Sequence, residues 1–361
     1  MAISRMTLPS GIAVNTPSKF QETYDRELDI IAYGEGNRYP SVLKNLYRNS
    51  PTLNMCVNRE ANFLRGQSVS KMVTPQDLDA ICKDYALYNG FALYVHNDIN
   101  GVIDLVQWID FESLRIGGDV GESGFYSKIK YSYDWTFTTT INKKRITKKD
   151  IRVYDLFSDD QEVRARRAME NGGWAESILY YSSNTLYPIS NADSVLTYVA
   201  DDIAIANILT RNCTSSFLPA CVISVNKTAD NEFDEFVSNV QKLQGDVNAQ
   251  KILVTTRQSD SDEVKITNLH TENYDQQFTN TQQVIENKIL GTFNQRILAR
   301  IDDGSMGLGD GGSVISEGIK YYNFQLNAKK KPLLDILTTV DPSFQHEELA
   351  YTITPTKTTT V

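Results

Sequence analysis

The sequence predicts an α+β fold, on three observations. Apolar residues recur at helical spacing from residue 41 to 88, and the pattern then switches to short strand runs separated by turns. A helix of unusually apolar composition, near 192–213, is followed by a small α/β segment and then by a second long helix. A glycine-rich stretch separates that helix from a last one.

Taken in order, residues 1–15 read as a loose arm. Residues 20–33 read as a helix, broken by Gly34, Gly36 and Pro40. The next helical stretch, 41–64, holds Pro51 after Ser50, a pair that starts a new segment, with Leu53, Val57, Ala61 and Leu64 on one face. Thr74-Pro75 opens a third helix as cap and first helical residue; Asn89-Gly90 stops it. Residues 91–96 and 102–108, joined by Asn97-Asp-Ile-Asn-Gly101, form a β-hairpin. Further strands are expected at 113–116, 128–133, 136–141 and 151–157. Residues 158–180 are polar and begin with an Arg-rich helical piece.

Tyr187-Pro188-Ile189-Ser190 punctuates the chain before the apolar helix, where Leu196, Val199, Ile203 and Ala206 recur at helical spacing. Its charges are Asp193, Asp201, Asp202 and Arg211, so it is expected to be buried or packed against copies of itself. Residues 217–268 read as a strand (220–225), a helix capped by Asp230 and reaching Leu243, and two strands (251–256 and 264–269). A long helix is expected over 275–298. The last helix, 313–328, ends in Lys329-Lys-Lys-Pro332, and the end of the chain reads as a tail.

The 361 residues allow one large domain or two to three smaller ones, and a hydrophobic fraction of 41% permits a substantial core. Net charge is −9 and the pI about 5.0. A protein that grips DNA clusters Lys and Arg to displace phosphate counterions. This balance fits a chain that avoids nucleic acid or meets DNA without holding it. Cys56, Cys82, Cys213 and Cys221 form no CxxC pair and read as isolated thiols in a reducing compartment, although Cys213 and Cys221 flank a turn where a metal or disulfide is conceivable. The first fifteen residues lack the apolar run of a signal peptide, and no 18-residue apolar run predicts a membrane span.

Chemistry-bearing motifs are absent: no GxSxG, no GxxxxGK[ST], no HExxH, and three histidines, His96, His270 and His346. Gly307-Leu-Gly309-Asp-Gly311-Gly312 matches GxGxxG by letter, but follows a helix where a dinucleotide fingerprint follows a strand. Asp302, Asp303 and Asp310 lack the spacing and final Glu of a calcium loop. No catalytic residue, cofactor or metal is therefore expected. Lys143, Lys144, Arg145, Lys148 and Lys149 form a basic cluster that is either a solvated hairpin tip or a phosphate contact. Lys329–Lys331 suit the dipole of a helix C-terminus. Arg164, Arg166 and Arg167 read as a solvated helix face or a contact to a neighbouring subunit.

The order of these parts resembles the portal proteins of tailed bacteriophages. Asp84 to Leu105, with Gly90 and the turn at Gly101, resembles a wing hairpin of that family. Tyr187–Ser190 resembles its lead into a first stem helix, and Asn248-Ala-Gln-Lys-Ile-Leu-Val254 a clip strand. Tyr274-Asp-Gln-Gln-Phe278 resembles the start of a second stem helix. The likeness runs over about residues 40–335. It departs after the second stem helix, where Phe293-Asn-Gln-Arg-Ile-Leu298 lacks the family's proline.

The resemblance implies an α/β wing (1–190), a first stem helix (191–214), an α/β clip inserted between the stem helices (215–270), and a second stem helix (271–300). A tunnel loop (301–313), a C-terminal helix of the wing or crown (314–340) and a tail (341–361) follow. It implies a ring of about twelve copies at one capsid vertex, a non-enzymatic channel for double-stranded DNA during packaging and ejection. The tunnel-loop residues would be Asp302, Asp303, Gly304, Ser305, Met306, Gly307, Leu308, Gly309, Asp310, Gly311 and Gly312. The clip, through Asn231, Glu232, Asp234, Glu235, Asn239 and Lys242, would dock terminase and later adaptor or tail proteins; the major capsid protein would be a further partner. The implied location is the virion, after assembly in the host cytoplasm. The competing readings are an enzyme with a nucleotide or metal site at the glycine-rich loop, and another virion structural protein such as an adaptor or capsid subunit.

Overall fold

The structure, a computed structural model, describes residues 22–119, 126–135, 150–214, 221–226, 253–257, 265–268, 274–302 and 311–350. The chain divides into two units, one of residues 1–200 with 287–361 and one of residues 201–286.

The first unit opens with a hairpin, β1 (Glu22–Asp25) and β2 (Ile30–Tyr33), where a helix is expected. Asp25 accepts hydrogen bonds from the amides of Glu27 (2.8 Å) and Leu28 (3.2 Å), and Asp29 takes a left-handed φ of 55°. All four residues of β2 are buried, so the Ile-Ile-Ala-Tyr run fills a strand position against the core instead of one helical face.

Helices α1 (Tyr39–Asn49) and α2 (Pro51–Arg65) meet at the expected Ser50-Pro51 junction, where Ser50 Oγ accepts from Leu53 N at 3.1 Å. Helix α3 (Pro75–Tyr88) is capped by Thr74, whose Oγ1 accepts from Asp77 N at 3.1 Å. Each such cap contributes about 1 kcal/mol. The helix ends on Asn89 in left-handed conformation, φ 60°.

Strands β3 (Gly90–Asp98) and β4 (Ile103–Trp108) make the expected hairpin, with a register shift at His96/Asn97. β5 (Leu114–Ile116), β6 (Lys128–Tyr131) and β7 (Arg152–Leu156) follow as expected. Helix α4 (Gln161–Glu170) then crosses to β8 (Trp174–Ser182). The six-stranded sheet runs β4-β3-β8-β7-β6-β5, with β7 and β8 parallel across the α4 connection. β8 has no counterpart in the sequence reading, because a central strand flanked by β3 and β7 shows no clean alternation. Gly90 is required at the start of β3: a Cβ there would lie 2.7 Å from Pro188 Cγ and 2.8 Å from Phe111 Cζ.

At the β5 end of the sheet, Arg115 is fully buried. It donates to the carbonyls of Glu112 (2.7 Å), Leu114 (2.6 Å) and Asn37 (3.1 Å) and to Asn37 Oδ1, between the rings of Tyr33 and Trp135. Four acceptors thus replace the water that this cation loses. The Arg trio of α4 is not one solvated face. Arg164 donates to the carbonyls of Gly101, Ser158 and Asp159, and Arg167 to that of Leu156; Arg166 is exposed.

The lead into the apolar helix is locked into this unit. Tyr187 stacks on Tyr33 at 4.2 Å, donates to Ile31 O (2.6 Å) and accepts from Ile116 N (2.7 Å). Ser190 caps a short 3-10 turn, Asn191–Val195, that runs into α5 (Leu196–Thr214).

The second unit holds a three-stranded sheet of β9 (Cys221–Asn226), β10 (Leu253–Arg257) and β11 (Lys265–Asn268), in the order β10-β9-β11. β10 is parallel and β11 antiparallel to β9. The helix expected from Asp230 to Leu243 lies outside the described residues. Helix α6 (Tyr274–Thr292) leads back to the first unit, which ends with α7 (Arg296–Asp302) and α8 (Gly311–Val340).

Candidate functional site

The glycine-rich stretch lies between α7 and α8. Of its residues, Asp303, Gly304, Ser305, Met306, Gly307, Leu308, Gly309 and Asp310 lie outside the described residues, and so does the whole predicted docking set Asn231, Glu232, Asp234, Glu235, Asn239 and Lys242. So do the basic cluster 143–149 and His270. Asp302, Gly311 and Gly312 are described, and the frame on either side of the loop is complete.

The frame begins with a break. One helix is expected over 275–298, but the chain interrupts it at Phe293–Gln295, with Asn294 at φ 56°. The reason is packing: Phe293 and Gln295 are both buried. The Gln295 amide donates to Cys56 O on α2 (2.7 Å) and to the Tyr322 hydroxyl on α8 (2.9 Å). Asn is the residue that best tolerates the left-handed conformation after Gly.

Helix α7 then lies antiparallel to α8. Leu298 packs with Phe63, Tyr322 and Leu326, and the Phe63 and Tyr322 rings meet edge-on at 4.8 Å. Nearer the loop, Gly318 faces Ile301: an added Cβ would lie 2.5 Å from Ile301 Cδ1 and would displace only the tip of that side chain. Asp302, the last residue of α7, is ion-paired with Arg59 of α2. Helices α7 and α8 therefore form a hairpin braced on α2, and residues 303–310 join them in sequence. The glycine-rich stretch follows a helix, and Gly311-Gly312 already belong to α8, so the strand–turn–helix context of a dinucleotide fingerprint is missing.

A second cluster ties α8 to the root of α5. Lys329 donates to Glu60 Oε1 (2.6 Å) and Asn89 Oδ1 (2.5 Å), with its ammonium 4.9 Å from the Tyr85 ring centroid. Asn89 in turn donates to Ile189 O (2.9 Å) and Asn191 Oδ1 (2.8 Å). Ser190 Oγ donates to Leu87 O (2.5 Å). The C-cap of α3 thus joins the middle of the last helix to the start of the apolar one.

This overturns two expectations about the chain's end. The last helix does not stop at residue 328 but continues through Pro332 to Val340, because Leu333, Leu337 and Val340 extend the buried face of Tyr322 and Leu326. The lysine run is accordingly mid-helix: Lys329 is half-buried and paired, and Lys330 is buried and bonded to Asn323 Oδ1 (2.7 Å) and Glu348 (3.2 Å). Residues 341–350, expected as the start of a tail, are anchored. Asp341 accepts from Ser70 Oγ (2.5 Å), Lys71 N (3.2 Å) and Met72 N (3.3 Å), and Val69 bridges to Gln345. Burial would raise the Asp341 carboxyl, but hydrogen bonds from Ser343, Ser70 and Met72 outweigh it and hold it down at about 2.

Gln295, Glu60, Asn89 and Lys329 escaped sequence reasoning as functional residues. One signal was present: Glu60 sits among Val57, Ala61 and Leu64 on the apolar face of α2, and a buried carboxylate requires a partner. Beside the hairpin, Gly291, Asn294, Arg296, Ile297, Arg300 and Tyr321 line a groove of about 470 Å³. It offers cations and a phenol, and no nucleophile with a base. Among the described residues no group of His, Cys, Asp or Glu could hold a metal ion, and no helix is long and apolar enough to cross a membrane. Cys56 and Cys82 are buried and form no disulfide, with Cys82 pushed up to about 12 by burial.

The chain matches no protein-family model and no curated protein. Among solved structures it is similar to the neck of a native GTA particle, at 12% identity over 83% of this chain and 77% of that one, TM-score 0.46. It is also similar to the neck of an empty GTA particle (11%, 86% and 85%, TM-score 0.45). A third is an HK97 family phage portal protein from Corynebacterium diphtheriae (10%, 84% and 98%, TM-score 0.36).

Proposed function

We propose that this chain is a portal protein, one subunit of a ring at a capsid vertex through which double-stranded DNA enters and leaves. The observation that carries the reading is the order of parts around the loop. An apolar helix follows the six-stranded sheet, a three-stranded sheet comes next, a second helix leads on, and a glycine-rich sequence joins the two arms of a braced helical hairpin. The sequence resemblance to portal proteins lies in the same parts.

In this reading α5 and α6 are the stem, and α6 ends at Thr292, with α7 belonging to the tunnel-loop hairpin. Ile208 and Leu209 of α5 are 38% and 39% exposed, which supports burial by neighbouring copies. An acidic chain suits a conduit, because a weakly repelled duplex slides where a basic channel would bind it. The glycines of residues 304–309 give the loop the conformational freedom to follow passing DNA. Residues 215–270, between the two stem helices, act as the clip that docks terminase and later adaptor or tail proteins, and the ring does no chemistry of its own.

Two experiments test the assignment. Gly309→Pro, within the loop, is expected to lower DNA packaged per capsid while ring assembly persists; normal packaging and retention would contradict the loop's role. Deleting residues 228–244 is expected to abolish terminase pull-down by assembled rings; unchanged capture would contradict the clip's role.

A further inference from the structure

Two exposed surfaces of the first unit are complementary. One is the outward side of α8, where Tyr321 is 50% and Phe324 71% exposed, with Lys331 two turns further along the same side. The opposite side of that helix is fully committed to the core through Tyr322, Leu326 and Leu333. The other is one face of the six-stranded sheet near the β3–β4 turn. The face covered by helices carries Leu93, Val95 and Ala175, all buried. On the other face, His96 pairs across the strands with Leu105 and Glu176, and Asp98 with Trp174. Leu105 is 39% and Trp174 46% exposed there.

Single exposed apolar residues need no explanation. Among the described residues they are grouped, on an exposed helix side flanked by a lysine and on an exposed stretch of sheet face that carries Glu176, a carboxylate that also bonds Tyr94 and lies near Arg152. A helix laid on a sheet face is one of the standard ways in which each buries its apolar side. Both surfaces belong to one unit of one chain, and each offers exposed apolar area and a charge opposite to the other's.

We propose that the Tyr321–Phe324 side of α8 in one copy seats on the Leu105–Trp174 sheet face of the next copy, with Lys331 toward Glu176. The surfaces differ, so the contact is head-to-tail and propagates around a ring. The contact rests on the ring reading above and supplies its geometry.

The test is a short bismaleimide crosslinker applied to assembled rings of the full chain carrying Leu105→Cys and Phe324→Cys together, with each single variant as control for the native thiols. The proposal expects a ladder of covalent species extending beyond dimer in the double variant and absent from both controls. Rings that assemble without a ladder overturn the contact and leave the ring reading standing. A ladder that stops at dimer overturns the head-to-tail geometry. If the unsubstituted chain forms no rings under any condition, including with capsid protein, the ring reading fails and this contact with it.

Discussion

Arg115 shows how much of this fold rests on single polar residues. Its guanidinium is buried without a carboxylate partner, held by carbonyls and by the Asn37 side chain. Arg115→Met leaves those acceptors unsatisfied, and about 3 kcal/mol of stability should be lost, read as a shift of the denaturant midpoint. A loss below about 1 kcal/mol would show that the site repacks. Asp84 makes a pH-dependent prediction. Burial first, and then the charge of Asp110, push its carboxyl up to about 7, against hydrogen bonds from Trp108 Nε1 (2.7 Å) and Phe111 N (3.3 Å) and the charge of Lys44. A carboxyl raised on folding binds its proton more tightly in the folded state, so its contribution to stability falls as pH rises from about 4 to about 7. Asp84→Asn keeps an acceptor for Trp108 and should reduce that fall in thermal unfolding. An unchanged pH slope would contradict the assignment.

At the level of elements, the break between α6 and α7 and the continuity of α8 govern how the loop is presented. Gln295→Ala removes donors to Cys56 O and Tyr322 and should cost about 2 kcal/mol, while Asn294→Gly, which keeps the left-handed turn, should be nearly neutral. Equal effects of the two would mean that the turn, and not the buried amide, sets the break. The helices with strong local signals were legible in the sequence: Thr74-Pro75 and Ser50-Pro51 start helices where expected, and the 91–108 hairpin stands. The failures are of one kind, in which tertiary burial overrides a local signal. Ile30–Tyr33 was read by composition as helix and is a buried strand; β8 is hidden by burial between two neighbours. Pro332 and the lysine run read as a stop, yet Leu333, Leu337 and Val340 continue the apolar face beyond them. A bare count of that spacing would have carried the helix on.

For the whole molecule, the proposed function of this acidic, motif-poor chain lies in assembly. The order of parts was legible in the sequence, because each part carries its own local pattern of apolar spacing, turns and glycines. The sequence could not carry the cluster of Glu60, Asn89 and Lys329, whose members are brought together from three distant segments. That cluster fixes the root of α5 and the middle of α8 to one helix cap, so a ring built on these helices would share a rigid base. Lys329→Met leaves Glu60 buried without its cation and should destabilise the subunit by about 3 kcal/mol or more. Double substitution with Glu60→Gln should recover part of the loss; no recovery would show that Lys329 acts through Asn89 alone.

The most direct measurement is the mass of the purified full chain by light scattering together with negative-stain imaging, repeated in the presence of capsid protein. A ring with a central hole and a mass near twelve subunits is the predicted result. A particle of one or two subunits, with no ring in either condition, would contradict the account.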